Sequence, residues 1–389
     1  MSSLSWIDFD EAERQRIQRI MALFQEHESR DELGLGAIRD TIADLLFPGT
    51  STIQTRLRYM LFVPWILRQV EDHDGPPSQL AAEARTMEVL VAGALKAGGE
   101  TVGVIGRDAG ARLQRFPSSV YWTGLSAWGI RLFAGSIDSY FSTIPTLRHR
   151  RLRTRDADER STEWLGFNTW HPGLPAPPHH WLVSTTFTLT PDEAQFIRDR
   201  LVAEAPDALL TWLARQNDNA RCNYIWEHPS LAEFPKQSRQ LVAHAEMFSN
   251  VIHGASLLYN LQLAELRERP DWIETYRLLM DEWVSQRQFA ALDVWDLEDF
   301  WAAVKPIGPP LRRFVQDWVE LVRQDPGGLA DSAGARRLVR ERERRLKTNQ
   351  SRFSNHAARD RWRGASGVEQ LSFRWAQASS HLRDLVHGR

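Results

Sequence analysis

"LVAHAEMFSNVIHGASLLYNLQLAEL", residues 241–266, decides the fold class. At 100° per residue, Leu241, Ala245, Phe248, Ile252, Ala255 and Tyr259 make one unbroken apolar stripe. That is the 3.6-residue period of a helix, not the two-residue period of a strand. Glu246, Asn250, His253 and Asn260 fall on one narrow polar side, which carries no Lys or Arg before Arg267. A solvated face usually holds such charges, so two readings stand. The four residues line a polar cleft for a ligand or for catalysis, or they form a buried network with a neighbouring element. His244 and His253 are nine residues apart and point to opposite sides, so they cannot share a metal ion on this helix.

The same period recurs in both directions. Residues 8–24 open with Asp8 and Glu11 in capping-box spacing, and Ile17, Ile20, Met21 and Phe24 follow on one face. Residues 37–46 repeat the pattern, another helix runs from Pro77 to about Lys96, and Thr190 with Glu193 signals a capped helix start. Strand-like pieces are few: Val102 to Ile105, and the weak alternation of "WLVSTTFTLT" at 181–190. Two short helices broken at Phe116-Pro117 suggest a helix-turn-helix. The second of them, "SSVYWTGLSAWG", has few long polar side chains for base edges, which favours packing over groove reading. The expected fold is mainly α: multi-helical, with two helical lobes and a few short isolated strands. The sequence divides into an N-terminal helical domain (1–145), a basic and proline-rich linker or loop (146–181), a helical domain (182–330) and a basic C-terminal helical segment (331–389). "WHPGLPAPPHH" in the linker has extended polyproline character. The chain holds 16 Trp against 6 Tyr, mostly spaced singly along helical patterns, where large rings fill gaps between helices.

"DLLFPGTSTIQTRLRYMLFVPWI" at 44–66 raises a second question. Thr50-Ser51-Thr52 reads as an N-cap, and a helix start can hold an anion. Projected on a helix, Arg56 falls between Met60 and Val63, and Arg58 between Leu61 and Phe62. They point about 200° apart and cannot jointly clamp a ligand. An arginine among core positions needs a carboxylate, and Asp40 and Asp44, one turn apart on the preceding helix, are the expected partners. A hard cation held by Asp40 and Asp44 is the competing reading.

The strongest local charge is "ARRLVRERERRLKTNQSRFSNHAARDRWRG" at 335–364, where eleven basic residues face three acidic ones, a net charge of +8. Arg336, Arg337, Arg340, Arg344, Arg345, Lys347 and Arg352 are the candidate phosphate ligands. The planar guanidinium fork binds two oxygens, and such contacts would be salt-sensitive and indifferent to base sequence. Alternatively the helix docks on an acidic part of the same chain. The cluster Arg148, Arg150, Arg151, Arg153 and Arg155 extends the patch or forms a solvated loop.

Absent motifs narrow the chemistry. There is no phosphate-binding Gly-x-x-x-x-Gly-Lys-Ser/Thr, and "GLGAIR" (34–39) lacks the third glycine of a dinucleotide fingerprint. Neither His-Glu-x-x-His nor Gly-x-Ser-x-Gly occurs. No catalytic residue, metal ligand or cofactor is therefore assigned. The whole chain of 389 residues carries a net charge of −2, which gives no general field for polyanions. One cysteine, Cys222, permits no intramolecular disulfide and suits a reducing cytosol. The first residues lack a basic leader with an apolar core, and no apolar run approaches the roughly 20 residues a bilayer requires.

Several stretches together resemble a known family. "SWIDF" (5–9), "RDELGLGAIRD" (30–40), "FPGTSTIQTRLRYMLFVPWI" (47–66), "PSSVYW" (117–122), "GASLLYN" (254–260), "RERERRLK" and "FRWAQASSHLRDL" are similar to the bacterial domain-of-unknown-function 6361 family. The resemblance implies a cytoplasmic bacterial protein encoded in defence islands near helicase and phospholipase-D-type nuclease genes. It carries over no catalytic residue. The leading expectation is a non-catalytic subunit of an anti-phage system that binds DNA or RNA non-specifically or scaffolds a helicase or nuclease partner, away from membranes. The alternatives are a hydrolase or nuclease using a cleft near Glu246 and His253, and a purely structural helical adaptor.

Overall fold

The computed structural model describes residues 31–156, 168–286, 292–304 and 306–388. The expected helix at 8–24 and the side chains of Arg150, Arg151, Arg153 and Arg155 lie outside what is described. The fold is mainly α, with 14 helices among the described residues. No strand forms there; the only β-type pairing described is an isolated antiparallel bridge between Arg131 and Trp170. The two strand expectations thus give way to irregular chain. At 181–190, Trp181, Phe187 and Leu189 are buried one by one, and alternation without a partner strand has no ladder to join.

In chain order the helices are α1 Gly36–Leu46, α2 Tyr59–Glu71, α3 Pro77–Ala97, α4 Pro117–Ala127, α5 Ile137–Asp156, α6 Pro191–Glu204 and α7 Leu209–Gln216. They continue with α8 Lys236–Leu266, α9 Pro270–Gln286, α10 Leu297–Ala303, α11 Pro309–Gln324, α12 Ala333–Lys347, α13 His356–Asp360 and α14 Trp375–His387. Two compact units share these elements. The first holds the described residues up to Ile42 together with Gln240–Phe373; the second holds Ala43–Arg239 and the chain from Arg374 onward. Each unit is discontinuous, whereas the sequence reading divides the chain at 145, 181 and 330.

In the first unit α8 is the central element, and the stripe read from sequence is its core face: Ala245, Phe248, Ile252, Ala255 and Tyr259 are all buried. Trp318 of α11 donates to the Val251 carbonyl at 2.9 Å and Trp283 of α9 to that of Asn250 at 2.8 Å. On α11, Leu311, Phe314, Val315, Trp318, Val319 and Val322 form a single buried stripe, each side chain contributing about 1.5–3 kcal/mol by leaving water.

In the second unit α2 is buried nearly all round, from Tyr59 to Leu67. It does not begin at Thr50-Ser51-Thr52. Those residues stand in a turn, and the helix starts after Arg58, which makes no side-chain cap. The Pro48-Gly49 turn explains the shift. Gly49 has φ +79, and Trp128 lies against its α-carbon, leaving no room for a side chain and favouring glycine's left-handed backbone. From there to Leu57 the chain is tied by side chains from elsewhere. The Tyr121 hydroxyl accepts from Thr55 N at 2.9 Å and Arg56 N at 3.1 Å. Gln377 and Ser380 of α14 donate to the carbonyls of Thr52 and Thr55. Helix α6 begins as its sequence predicts: Thr190 Oγ1 accepts from Glu193 N at 3.2 Å, and Glu193 Oε2 from Thr190 N at 3.0 Å. Helix α4 buries Val120, Tyr121, Gly124 and Leu125, a core-packing face.

Candidate functional site

Helix α12 carries most of the candidate phosphate ligands. Ser332 caps it, accepting from Ala335 N at 3.3 Å. Its apolar contacts are few, Ala335 and Val339, so polar bonds hold it to its own unit. Arg336 bonds the Glu265 carboxylate and the Ala330 carbonyl. Arg340 donates to Gln262 at 3.1 Å, and Arg342 to the Leu33 carbonyl at 2.8 Å. Lys347 reaches Glu32 at 3.1 Å and the Asp31 carbonyl at 3.2 Å. Arg352, just beyond the helix, pairs with Glu32 at 3.1 Å; the two side chains are each only 6% exposed.

Four of the seven candidates, Arg336, Arg340, Lys347 and Arg352, are therefore bonded to residues outside the helix. Arg352 is buried and presents no surface to a polyanion. The reason is local: an acidic and amide-bearing counterface of Glu32, Gln262 and Glu265 takes up one side of the helix. Glu343 completes this side. It is fully buried, accepts from Ser351 Oγ at 2.5 Å and Arg352 N at 2.7 Å, and burial pushes its carboxyl pKa up. Arg337, Arg344 and Arg345 remain exposed. Arg337 and Arg344 are seven residues apart, about 10 Å along one side of the helix. Arg345 makes a surface pair with Glu341 at 3.5 Å.

The polar stripe of α8 meets the chain at 362–370. His253 Nε2 lies 2.9 Å from the Val368 carbonyl, so that nitrogen carries the proton. Asn250 Oδ1 accepts from Gln370 at 2.7 Å. Asn260 is fully buried and uses its whole amide. Nδ2 donates to the Ser256 and Ser366 carbonyls, both at 2.8 Å; Oδ1 accepts from Trp362 Nε1 at 3.1 Å and Ser366 N at 2.9 Å. Glu246 is half-buried on the same side. Three of the four side chains thus hold one irregular segment in place of regular backbone pairing. His244, on the other side, has its Nδ1 accepting from Trp295 Nε1 at 3.0 Å and its Nε2 facing Asp299 at 3.0 Å. An indole can only donate, so Nδ1 is the bare nitrogen and is already occupied.

The ion pairs around 44–66 differ from expectation. Arg56 Nη2 meets Asp384 at 2.8 Å and Arg58 meets Glu193 at 2.8 Å. Asp44 pairs with Arg374 at 2.5 Å and Asp40 with its neighbour Arg39 at 3.1 Å. The carboxylates expected for Arg56 and Arg58 were close in sequence; those found come from helices far along the chain. Asp384 also accepts from Leu57 N at 2.9 Å. All four residues thus make ion pairs, but with partners other than one another. Among the described residues no three His, Cys, Asp or Glu side chains gather to hold a metal ion, and no helix is long and apolar enough to cross a membrane.

Sequence reading missed a carboxylate knot in the second unit. Glu71, buried at the end of α2, accepts from Tyr140 at 2.6 Å, Trp170 at 3.1 Å and Thr169. It borders an open cleft of about 810 Å³ walled by Trp65, Trp170, Trp181 and the 172–180 chain. The partners lie about 70 to 100 residues away in the chain, so no local spacing could have signalled them.

Fold and side chains together define a mainly α protein whose conspicuous polar residues chiefly knit its own helices. The chain belongs to the family of unknown function DUF6361, whose model matches residues 1–388. No curated protein and no solved structure matches the chain.

Proposed function

We propose that the chain is a non-catalytic subunit of a bacterial anti-phage assembly, binding nucleic acid non-specifically through Arg337, Arg344 and Arg345 while holding a helicase or nuclease partner. The observation that carries the nucleic-acid half is the division of charge on α12. One side is committed to Glu32, Gln262 and Glu265, and the exposed arginines stand on another. A helix anchored by polar bonds presents cations in fixed positions, which suits backbone phosphates more than bases. The engagement of Asn250, His253 and Asn260 with the 366–370 chain favours this binding role over the hydrolase alternative. The genomic setting rests on the family resemblance.

The test is binding of the full chain to short DNA and RNA duplexes and single strands at low salt. Arg337→Glu, Arg344→Glu and Arg345→Glu combined should abolish binding without changing the melting temperature. Unchanged affinity in that triple variant overturns the proposed surface, and metal-dependent cleavage lost in His253→Ala would favour the hydrolase instead.

A further inference from the structure

We propose that Leu174–Pro178 in the second unit is a preformed polyproline II ridge that docks into an aromatic-walled groove on the partner protein. The inference deepens the subunit reading above and rests on it.

Stereochemistry fixes the ridge. The sequence is Leu174-Pro175-Ala176-Pro177-Pro178. Each proline locks φ near −65°, and each residue preceding a proline is pushed out of the helical region. Leu174, Ala176 and Pro177 all precede prolines, so these three are confined to extended or polyproline II backbone, and residues 174–178 carry no regular secondary structure. Both ends are pinned. Leu174 is buried and its N donates to the His171 carbonyl at 3.1 Å. Trp65 donates to the Pro175 carbonyl at 2.7 Å. His180 turns with φ +59, and Trp181 beyond it stacks on Phe62 at 5.7 Å. Between the anchors Ala176, Pro177 and Pro178 are exposed.

The relief around the strip fits a straddling partner. An open depression lies on either side, about 680 Å³ and about 810 Å³, and both have Ala176 and Pro178 in their walls. Ring side chains of a groove-bearing partner could enter both flanks with the prolines between them. That is how aromatic grooves recognise Pro-x-x-Pro segments, using a helix whose ordering entropy is already spent. Within the ridge, Pro175 and Pro178 supply that spacing. The smaller depression has exposed Asp192 and Asp199 on its rim beside Arg200, whose charge is met by Glu204; Asp199 takes a bond from Gln195 at 2.7 Å. The partner is therefore expected to bring Trp or Tyr side chains and a flanking Lys or Arg.

A photo-reactive phenylalanine analogue placed at Ala176 of the full chain, expressed in the native host, tests this, with the same analogue at exposed Glu320 as the control position. The expected result is one discrete adduct from position 176, mapped to a Trp- or Tyr-bearing surface. The synthetic peptide Leu-Pro-Ala-Pro-Pro should compete it away, and the version with all prolines changed to Ala should not. Pro177→Glu with Pro178→Glu should lower adduct yield at least about tenfold, since the contacts at an interface centre dominate affinity. An unchanged melting curve of that variant confirms the fold. An adduct at 320 with none at 176 overturns the ridge and leaves the subunit reading standing; so does a 176 adduct insensitive to peptide or to the double variant. No adduct at either position counts against both.

Discussion

Glu88 and His381 are buried titratable groups whose charges are opposed by the same force. Glu88 lies in α3 with its carboxyl accepting from Ser118 N at 2.5 Å, at the start of α4; burial pushes its pKa up to about 7. A raised carboxyl pKa means the folded chain holds the proton more tightly than the unfolded one. Its contribution is therefore complete below about pH 4.5 and is lost as pH rises through about 7. Glu88→Gln keeps the acceptor oxygen and removes the charge. The variant should match the wild type in denaturant melts near pH 4.5 and exceed it above pH 7.5 by an amount on the order of 3 kcal/mol. His381 works in the other direction. It is 1% exposed, burial lowers its pKa to about 4, and neither ring nitrogen has a hydrogen-bond partner among the described residues. Its contribution is present above about pH 6.5 and drains away as pH falls toward 4. His381→Phe retains a ring against Trp128 and removes two unsatisfied polar atoms, each worth about 1–3 kcal/mol. That variant should be at least as stable as the wild type at pH 7.5, with a clear gain at pH 5. A loss of stability at both pH values would show that the imidazole is satisfied.

At the scale of elements, the chain leading into α2 is joined to α6 and α14 by two ion pairs of different burial, Arg58–Glu193 and Arg56–Asp384. Arg58 and Glu193 have side chains only 5% and 3% exposed, and Glu193 also closes the capping box of α6. Removing one partner leaves a buried charge uncompensated. Arg58→Met alone should cost about 3–5 kcal/mol. Adding Glu193→Gln, which retains a box-compatible side chain, should recover most of that in the double variant by the same equilibrium unfolding. A double variant as unstable as the single one would mean that the guanidinium bonds to Thr186 and Thr185 matter more than the charge. This is also where sequence legibility ends. The apolar stripe of α8 and the capped start of α6 depend on residues within a few positions of one another, and they could be read directly. That Arg58 sits among core residues and needs a carboxylate followed from its apolar neighbours. The identity of the partner did not, since Glu193 lies 135 residues away and Asp384 lies 328 residues from Arg56. Turn geometry misled at Thr50-Ser51-Thr52, where Gly49 and Trp128 reshape the chain and postpone the helix to Tyr59. Alternation misled at 181–190, where Trp181, Phe187 and Leu189 are buried without any partner strand, Trp181 and Phe187 both against Phe62.

For the molecule as a whole, the relevant quantity is how much of its local positive charge faces outward. The chain has a net charge of −2 while residues 335–364 carry +8, a contrast plainly visible in the sequence. The partition of that charge was not visible, because Glu32, Gln262 and Glu265, which absorb much of one side of α12, belong to distant stretches. On α12 three exposed arginines, one already beside Glu341, set a ceiling on the phosphates that helix neutralises. If Arg337, Arg344 and Arg345 form the interface, the logarithm of the affinity for duplex DNA should fall against the logarithm of salt concentration with a slope of about −2 to −3. Base sequence should leave that slope unchanged. Reversing Glu341 as Glu341→Lys frees Arg345 and adds a cation on the same face, so it should steepen the slope by about one. A wild-type slope steeper than about −6 would require more phosphate contacts than α12 exposes and would move the binding surface elsewhere. No measurable binding of duplex DNA even at low salt would instead mean that the basic helix serves the fold alone.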